Sequence, residues 1–181
     1  MALPLILEGN DIILQAQTGS GKTLNFALPI LTAVNPSRAA IQAVVIAPTR
    51  ELGLQIAGIL KSLAKGSPEK IVVMSVVEGS KNRRQQIWAT AEPPHIIVGN
   101  PRSLQRLVEV GKLRLNSVSM VVIDEVDACL ISPDTRQVIL FSIAIVPHDT
   151  YPPMRRNCIR CCLDDSQAHF NRQKILMMTA K

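Results

Sequence analysis

Lys22 and Thr23 close the run Ala16-Gln17-Thr18-Gly19-Ser20-Gly21-Lys22-Thr23, and together they offer an ammonium and a hydroxyl to a polyphosphate and its metal. The run stands directly behind the apolar stretch Asp11-Ile12-Ile13-Leu14-Gln15 and ahead of an apolar helical pattern. A strand that stops at a glycine-rich turn and restarts as a helix leaves several backbone N–H groups aimed at one spot, beside the positive end of the helix dipole. Glycine lets the backbone approach an anion without a Cβ. Lysine reaches the β- and γ-phosphates as a point charge, and the threonine hydroxyl ligates Mg²⁺. The strict pattern asks for glycine at the first position, where this chain has Ala16; strand, loop, Lys-Thr pair and helix otherwise follow in the required order.

A second cluster completes the chemistry. Val121-Val122-Ile123 leads into Asp124-Glu125-Val126-Asp127, an acidic turn at the end of an apolar run. An aspartate emerging from a buried strand is placed to hold Mg²⁺ through water across from Thr23, and a glutamate beside it can polarise the water that attacks a γ-phosphate. Without a phosphate loop upstream, the same four residues would read as a solvated turn.

These groups need a scaffold that brings two strand ends together. Short apolar runs predict strands at 11–16, 43–47, 71–75, 95–99, 120–124 and 174–178, with helices at 22–34, 50–64, 82–91, 103–110 and 134–146. Runs that are continuously apolar are buried on both faces, so the βαβ rhythm predicts an α/β fold: a parallel sheet flanked by helices on both faces. In such sheets ligands bind at the carboxyl ends of the strands, where both clusters fall.

A chain of 181 residues with 47% hydrophobic and 19% charged content is the size and make-up of one packed domain. No apolar run approaches the roughly 20 residues that span a bilayer, and Met1-Ala2-Leu3-Pro4-Leu5 lacks a basic leader, so a soluble intracellular chain is expected. Four cysteines, three of them bunched at Cys158, Cys161 and Cys162, do not make a secreted disulfide framework. The net charge of +6 is concentrated: between Arg50 and Arg114 there are 11 Lys or Arg against five acids. Such a patch attracts a polyanion, although many of these side chains also suit solvated helix faces. With one Trp, one Tyr and three Phe, base stacking has few platforms, which shifts any nucleic-acid grip to the phosphate-sugar backbone.

The phosphate loop, then Pro48-Thr49-Arg50-Glu51-Leu52, then Asp124-Glu125-Val126-Asp127, resembles the first RecA-like domain of DEAD-box RNA helicases over nearly the whole chain. The Asp-Glu-Val-Asp variant, with Asn35-Pro36-Ser37-Arg38 and Ala91-Glu92-Pro93-Pro94, looks most like the chloroplast members of plants. The resemblance implies ATP and Mg²⁺ as cofactors, RNA as partner and a second RecA-like domain in the complete protein. Ala16 to Thr23 would cradle the phosphates, Thr23 and Asp124 would hold the metal, Lys22 and Glu125 would serve the chemistry, and Asp127 would bridge toward a linker motif near Thr179. RNA contacts would come from Pro48, Thr49 and Arg50, from Gly79 and Ser80, where the family has paired glycines, and from Asn100, Pro101 and Arg102. At that last motif the family's arginine stands one position early, at Arg102, and Ser103 takes its usual place.

The family's adenine-recognising glutamine motif lies upstream of the residues matching Leu3 to Asp11, so residues 1–181 are expected to be an isolated first domain, weak in turnover alone. A catalytically inactive RNA-binding or adaptor domain on the same fold is the alternative. Residues 147–170 have no counterpart in the family pattern and read as a loop insertion, with free thiols rather than zinc at its cysteines. His95 and His148 read as structural or exposed rather than catalytic.

Overall fold

A computed structural model of the chain describes residues 3–8, 10–16, 19–77, 93–111, 113–130 and 173–179. The elements are α1 (Leu3–Leu7), β1 (Ile12–Ala16), α2 (Lys22–Ala33), β2 (Ala43–Ile46), α3 (Arg50–Ala64), β3 (Val73–Val76), β4 (Ile96–Gly99), α4 (Pro101–Glu109), β5 (Met120–Asp124), α5 (Val126–Leu130) and β6 (Gln173–Thr179). The expected helices at 82–91 and 134–146 and the insertion at 147–170 lie outside the described residues.

The strands form one six-stranded sheet in the order β1-β6-β5-β2-β4-β3. Because β2 and β4 are apolar at every position, each of their faces needs a cover. On one face Ala43, Val45, Ile96, Val98 and Val122 pack with Phe26 and Ile30 of α2 and with Ile56 and Leu60 of α3. On the other, Val44, Ile46, Ile97, Val121 and Ile123 pack with Leu104 of α4, with Leu113 and Leu115, and with Cys129 of α5. The period-two alternation along each strand thus feeds two cores, and helices cover both faces as expected.

Strand direction carries one difference. β2, β3, β4 and β5 pair in parallel, whereas β6 runs antiparallel to both of its neighbours, β1 and β5. Continuous apolarity requires burial on both faces but carries no information on direction, which the connecting chain decides. The register pairs Thr179 with Met120, at the opposite end of β5 from Asp124. The reversed strand thus carries Thr179 to the end of the sheet away from Asp124, while Ala180 and Lys181, the rest of that motif, lie outside the described residues.

Gly99 shows how closely the site-bearing strand ends are packed. A Cβ there would lie 2.6 Å from the carbonyl oxygen of Val76 and 2.9 Å from Cγ of Leu104. Backbone on one side and a buried side chain on the other leave no room. Gly99→Ala is expected to destabilise the chain by about 2 kcal/mol through overpacking, read as a lower midpoint in urea denaturation with an unchanged slope.

At the amino edge of the sheet, polar side chains take over from apolar ones. Buried Gln42 accepts from the Asn35 N–H through Oε1 (2.9 Å), and its Nε2 donates to the carbonyls of Asn35 (2.8 Å) and Arg38 (3.1 Å). Its own N–H donates to the His95 carbonyl at 2.8 Å, and its carbonyl accepts from Ser119 N–H at 2.9 Å. One residue thereby ties the 35–41 loop to β4 and β5. No helix among the described residues is long and apolar enough to cross a membrane.

Candidate nucleotide site and nucleic-acid edge

β1 and β5 are both antiparallel to β6, so they run parallel to each other and end at the same edge. Ala16 pairs with Gln173 and Asp124 with Ile175, two residues apart on the shared strand. One intervening strand puts the two strand lines about 10 Å apart. From that spacing the side chains of α2 and the acidic turn can meet.

The turn after β1 reverses sharply at Gly19 and Gly21, both at φ 79°. This is the left-handed region that side chains resist, so the glycines serve the backbone path. Around both, the space a Cβ would occupy is open to 4 Å. Gly21 is the N-cap of the 12-residue helix α2 and has no side chain with which to cap it. Ser20 is exposed and Thr23 half-buried on the same turn; Gln17 and Thr18 lie outside the described residues.

Lys22 is only 8% exposed and Asp124 only 5%. They sense one another. Burial pushes the Asp124 carboxyl above its ordinary range; the hydrogen bond from Glu125 N–H counters this, Glu125 and Asp127 add repulsion, and the Lys22 ammonium draws it back down. That N–H reaches Asp124 Oδ1 at 2.9 Å. The strand end is a partly dehydrated carboxylate with two further acids beside it and one ammonium near it, an arrangement that a divalent cation would relieve.

Glu125 stands at φ 48°, the only described non-glycine residue with positive φ. A left-handed side-chain-bearing residue costs about 1 to 3 kcal/mol and persists where the surroundings enforce it. Here the chain turns from β5 directly into α5. The half-buried carboxylate projects from that strained turn, while Asp127, in the first turn of α5, is exposed. Beneath them Cys129 donates its thiol to the Asp124 carbonyl at 3.6 Å. Burial, and then the three neighbouring carboxylates, push this thiol up to about 12, so it stays a protonated donor. Neither the strain at Glu125 nor this contact had a sequence signal beyond the acidic motif itself.

The raised Asp124 carboxyl has a pH consequence. A folded-state pKa above the unfolded value means that the native chain binds the proton more tightly between the two values, so the stability from this group is greatest in acid and is lost as pH rises through the folded pKa. Asp124→Asn keeps an acceptor for Glu125 N–H. It is expected to raise the thermal midpoint of the ligand-free chain at pH 7 and to flatten its decline from mildly acidic to neutral pH, as read by circular dichroism.

Two further helix starts adjoin this edge. β2 and β4 are parallel neighbours with Ile46 opposite Gly99, so the turns that follow them lie side by side. After β2, Thr49 caps α3 by accepting from Leu52 N–H at 3.2 Å; after β4, Asn100 caps α4 by accepting from Ser103 N–H at 3.1 Å, with Pro101 in the first turn. The helix predicted at 103–110 therefore starts earlier, as a proline behind an asparagine cap permits. The side-chain oxygens of Thr49 and Asn100 are engaged in these caps. Outward-facing charge comes from exposed Arg50 and Arg102, whereas Pro48 is half-buried and Pro101 buried. Ser103 is buried, with no hydrogen-bond partner for its hydroxyl. One residue is about 100° of helix, so the early arginine points outward and the serine inward. Gly79 and Ser80 lie outside the described residues. Lys61, Lys65, Lys70, Arg106 and Arg114 are also exposed, which keeps the middle third basic at its surface.

Comparison with known proteins gives a consistent result. The family model described as DEAD/DEAH box helicase matches residues 1–180. The chain is 44% identical over 129 residues to DEAD-box ATP-dependent RNA helicase 58, chloroplastic, of Arabidopsis thaliana, covering 70% of this chain and 27% of that protein. It is 38% identical over 158 residues to the ATP-dependent RNA helicase CshA of Limosilactobacillus reuteri, covering 80% of this chain and 31% of that protein. Among solved structures, S. cerevisiae Dbp5 bound to RNA and ADP BeF3 superposes with a TM-score of 0.75 at 29% identity, over 90% of this chain and 42% of that one. A DEAD box protein from Methanococcus jannaschii gives 0.73 at 28% identity, over 88% of this chain and 45% of that one. The chain thus spans about 30% of the length of these curated relatives.

Proposed function

Because the chain belongs to the DEAD/DEAH box helicase family, we propose that residues 1–181 are the first of two RecA-like domains of an ATP-dependent RNA helicase, with residues 147–170 as a loop insertion. The observation that carries this reading is the placing of the ends of β1 and β5 at one edge, a single strand apart, with Asp124 buried at one of them and Lys22 buried at the helix start that follows the other.

The residues present fit Mg·ATP. Left-handed turns at Gly19 and Gly21 open onto free space at an uncapped helix start, where N–H groups and the dipole favour phosphate. Ala16 to Gly21 would line the phosphates with backbone, Lys22 would hold their charge, and Thr23 with Asp124 would hold the metal. Bound Mg²⁺ would supply charge neutralisation for the transferring phosphoryl group. Glu125 then orients and deprotonates the attacking water, and its enforced backbone keeps that carboxylate from swinging away. Asp127 lies two residues further, in the first turn of α5, in reach of whatever closes over the site.

RNA would lie across the paired starts of α3 and α4, gripped by Arg50, Arg102 and helix N–H groups at its phosphates, with Pro48, Thr49, Asn100 and Pro101 shaping that floor and Gly79 and Ser80 extending it. The solved relative bound to RNA and an ADP complex supports this assignment. A second domain, expected from the greater length of the relatives, would close over the nucleotide; arginine fingers in P-loop enzymes contribute about 10³ to 10⁵ in rate. The chloroplastic plant relative favours a chloroplast address.

An adaptor that binds RNA without turnover is the second reading, favoured by the buried Ser103 and by Thr179 at the far edge from Asp127. ATP hydrolysis by this chain joined to the rest of its full-length protein separates the two. Stimulation by RNA of tenfold or more, without stimulation by DNA, is the expected result; a rate that RNA leaves unchanged favours the adaptor.

A further inference from the structure

His95 is 6% exposed and uses both ring nitrogens. Nδ1 accepts from the Val72 N–H at 2.9 Å, and Nε2 lies 3.1 Å from the Pro36 carbonyl. An amide N–H can only donate and a carbonyl can only accept, so the ring is the neutral tautomer with its proton on Nε2. In that state it joins three segments: the 35–41 loop through Pro36, the chain leading into β3 through Val72, and its own place ahead of β4. The backbone repeats the connection, since the His95 N–H donates to the Val72 carbonyl at 3.0 Å.

The ring borders a cleft of about 370 Å³ lined also by Pro36, Ser37, Glu69, Lys70 and Pro93. Solvent protons therefore have a path to it. Among the described residues the charged groups lining the cleft are Glu69 and Lys70; Arg38, on the 35–41 loop, directs its guanidinium to Ser117 Oγ at 3.0 Å. Among the described residues β3 pairs with β4 alone, and the Val72 carbonyl also accepts from Ile96 N–H at 3.2 Å, so what the ring holds by itself is the Val72 N–H.

We propose that His95 is a pH-sensitive latch on the edge of the sheet: a proton taken up at Nδ1 sets two donors face to face at Val72 and frees the Val72 N–H just ahead of β3, while Nε2–H keeps hold of the 35–41 loop. Gln42 secures that loop independently, so opening is confined to the β3 side of the cleft. The latch does not depend on nucleotide or RNA, and its failure would leave the helicase reading untouched.

The test is nitrogen NMR of the imidazole together with amide exchange at Val72, across pH, on the 181-residue chain. At neutral pH the proton is expected on Nε2. As the ring titrates, the Val72 protection factor, corrected for intrinsic exchange, falls about tenfold per pH unit, the slope of a one-proton linkage. In His95→Asn the amide oxygen replaces Nδ1 as acceptor and the protection becomes flat with pH. A proton on Nδ1 at neutral pH, Val72 protection that ignores the titration, or a ring that stays neutral until the whole chain unfolds would each overturn the latch. Should His95→Asn not fold, the wild-type titration decides alone.

Discussion

Glu125→Gln is expected to leave ATP bound and to stop its turnover. The substitution keeps the length and shape of the side chain and removes only the charge proposed to polarise the attacking water, a role worth about 10² to 10⁴ in rate. Steady-state hydrolysis should therefore fall about 10³-fold. ATP affinity, read by titration of a fluorescent analogue, should change less than threefold or tighten, because one of the three neighbouring carboxylates is neutralised. The backbone at φ 48° is common to both proteins, so the thermal midpoint should stay within a degree or two. A variant that hydrolyses at the wild-type rate would assign the water to another group, and one that unfolds would make Glu125 a structural residue.

Lys22→Ala is expected to act on binding instead. Losing one partner of a buried charge contact costs roughly 2 to 5 kcal/mol, so ATP affinity should fall about thirtyfold or more in a calorimetric titration. There is a second signature. After the hydrogen bond from Glu125 N–H, the Lys22 ammonium is the second influence that draws the Asp124 carboxyl down against burial and like charge; without it that carboxyl moves further up. The ligand-free variant should be less stable than wild type at pH 7 and should regain much of the difference in mild acid, where Asp124 is protonated in both. Unchanged ATP affinity would contradict the site. Equal stability at all pH values would separate Lys22 from Asp124.

Both predictions rest on residues that were visible before any coordinates, for a physical reason. Phosphate binding at a helix start needs glycine, lysine and threonine at fixed spacing, and a magnesium ligand needs an acid where a buried strand surfaces; each demand writes itself into residue type. Strand positions were equally legible, because runs such as 43–46 and 120–124 are apolar throughout. What stayed hidden depends on partners distant in sequence. Nothing in the apolar run 174–178 distinguishes its two possible directions, and with direction went the placing of Thr179. Glu125 gives no hint of its left-handed backbone, since glutamate has no preference for it. The polar clasp at the other edge was masked too: Gln42 and His95 each precede an apolar strand by one residue, a parallel that has meaning only once β2 and β4 are known to be neighbours.

The strand between β1 and β5 works as a spacer. The loop after β1 and the acidic turn after β5 are kept at their separation by one thickness of hydrogen-bonded backbone, a ruler whose graduation does not depend on which apolar side chains it carries. Exchanges of one aliphatic residue for another along it should leave the aperture unchanged. Pulling the strand out would let both jaws drift while each kept its own teeth.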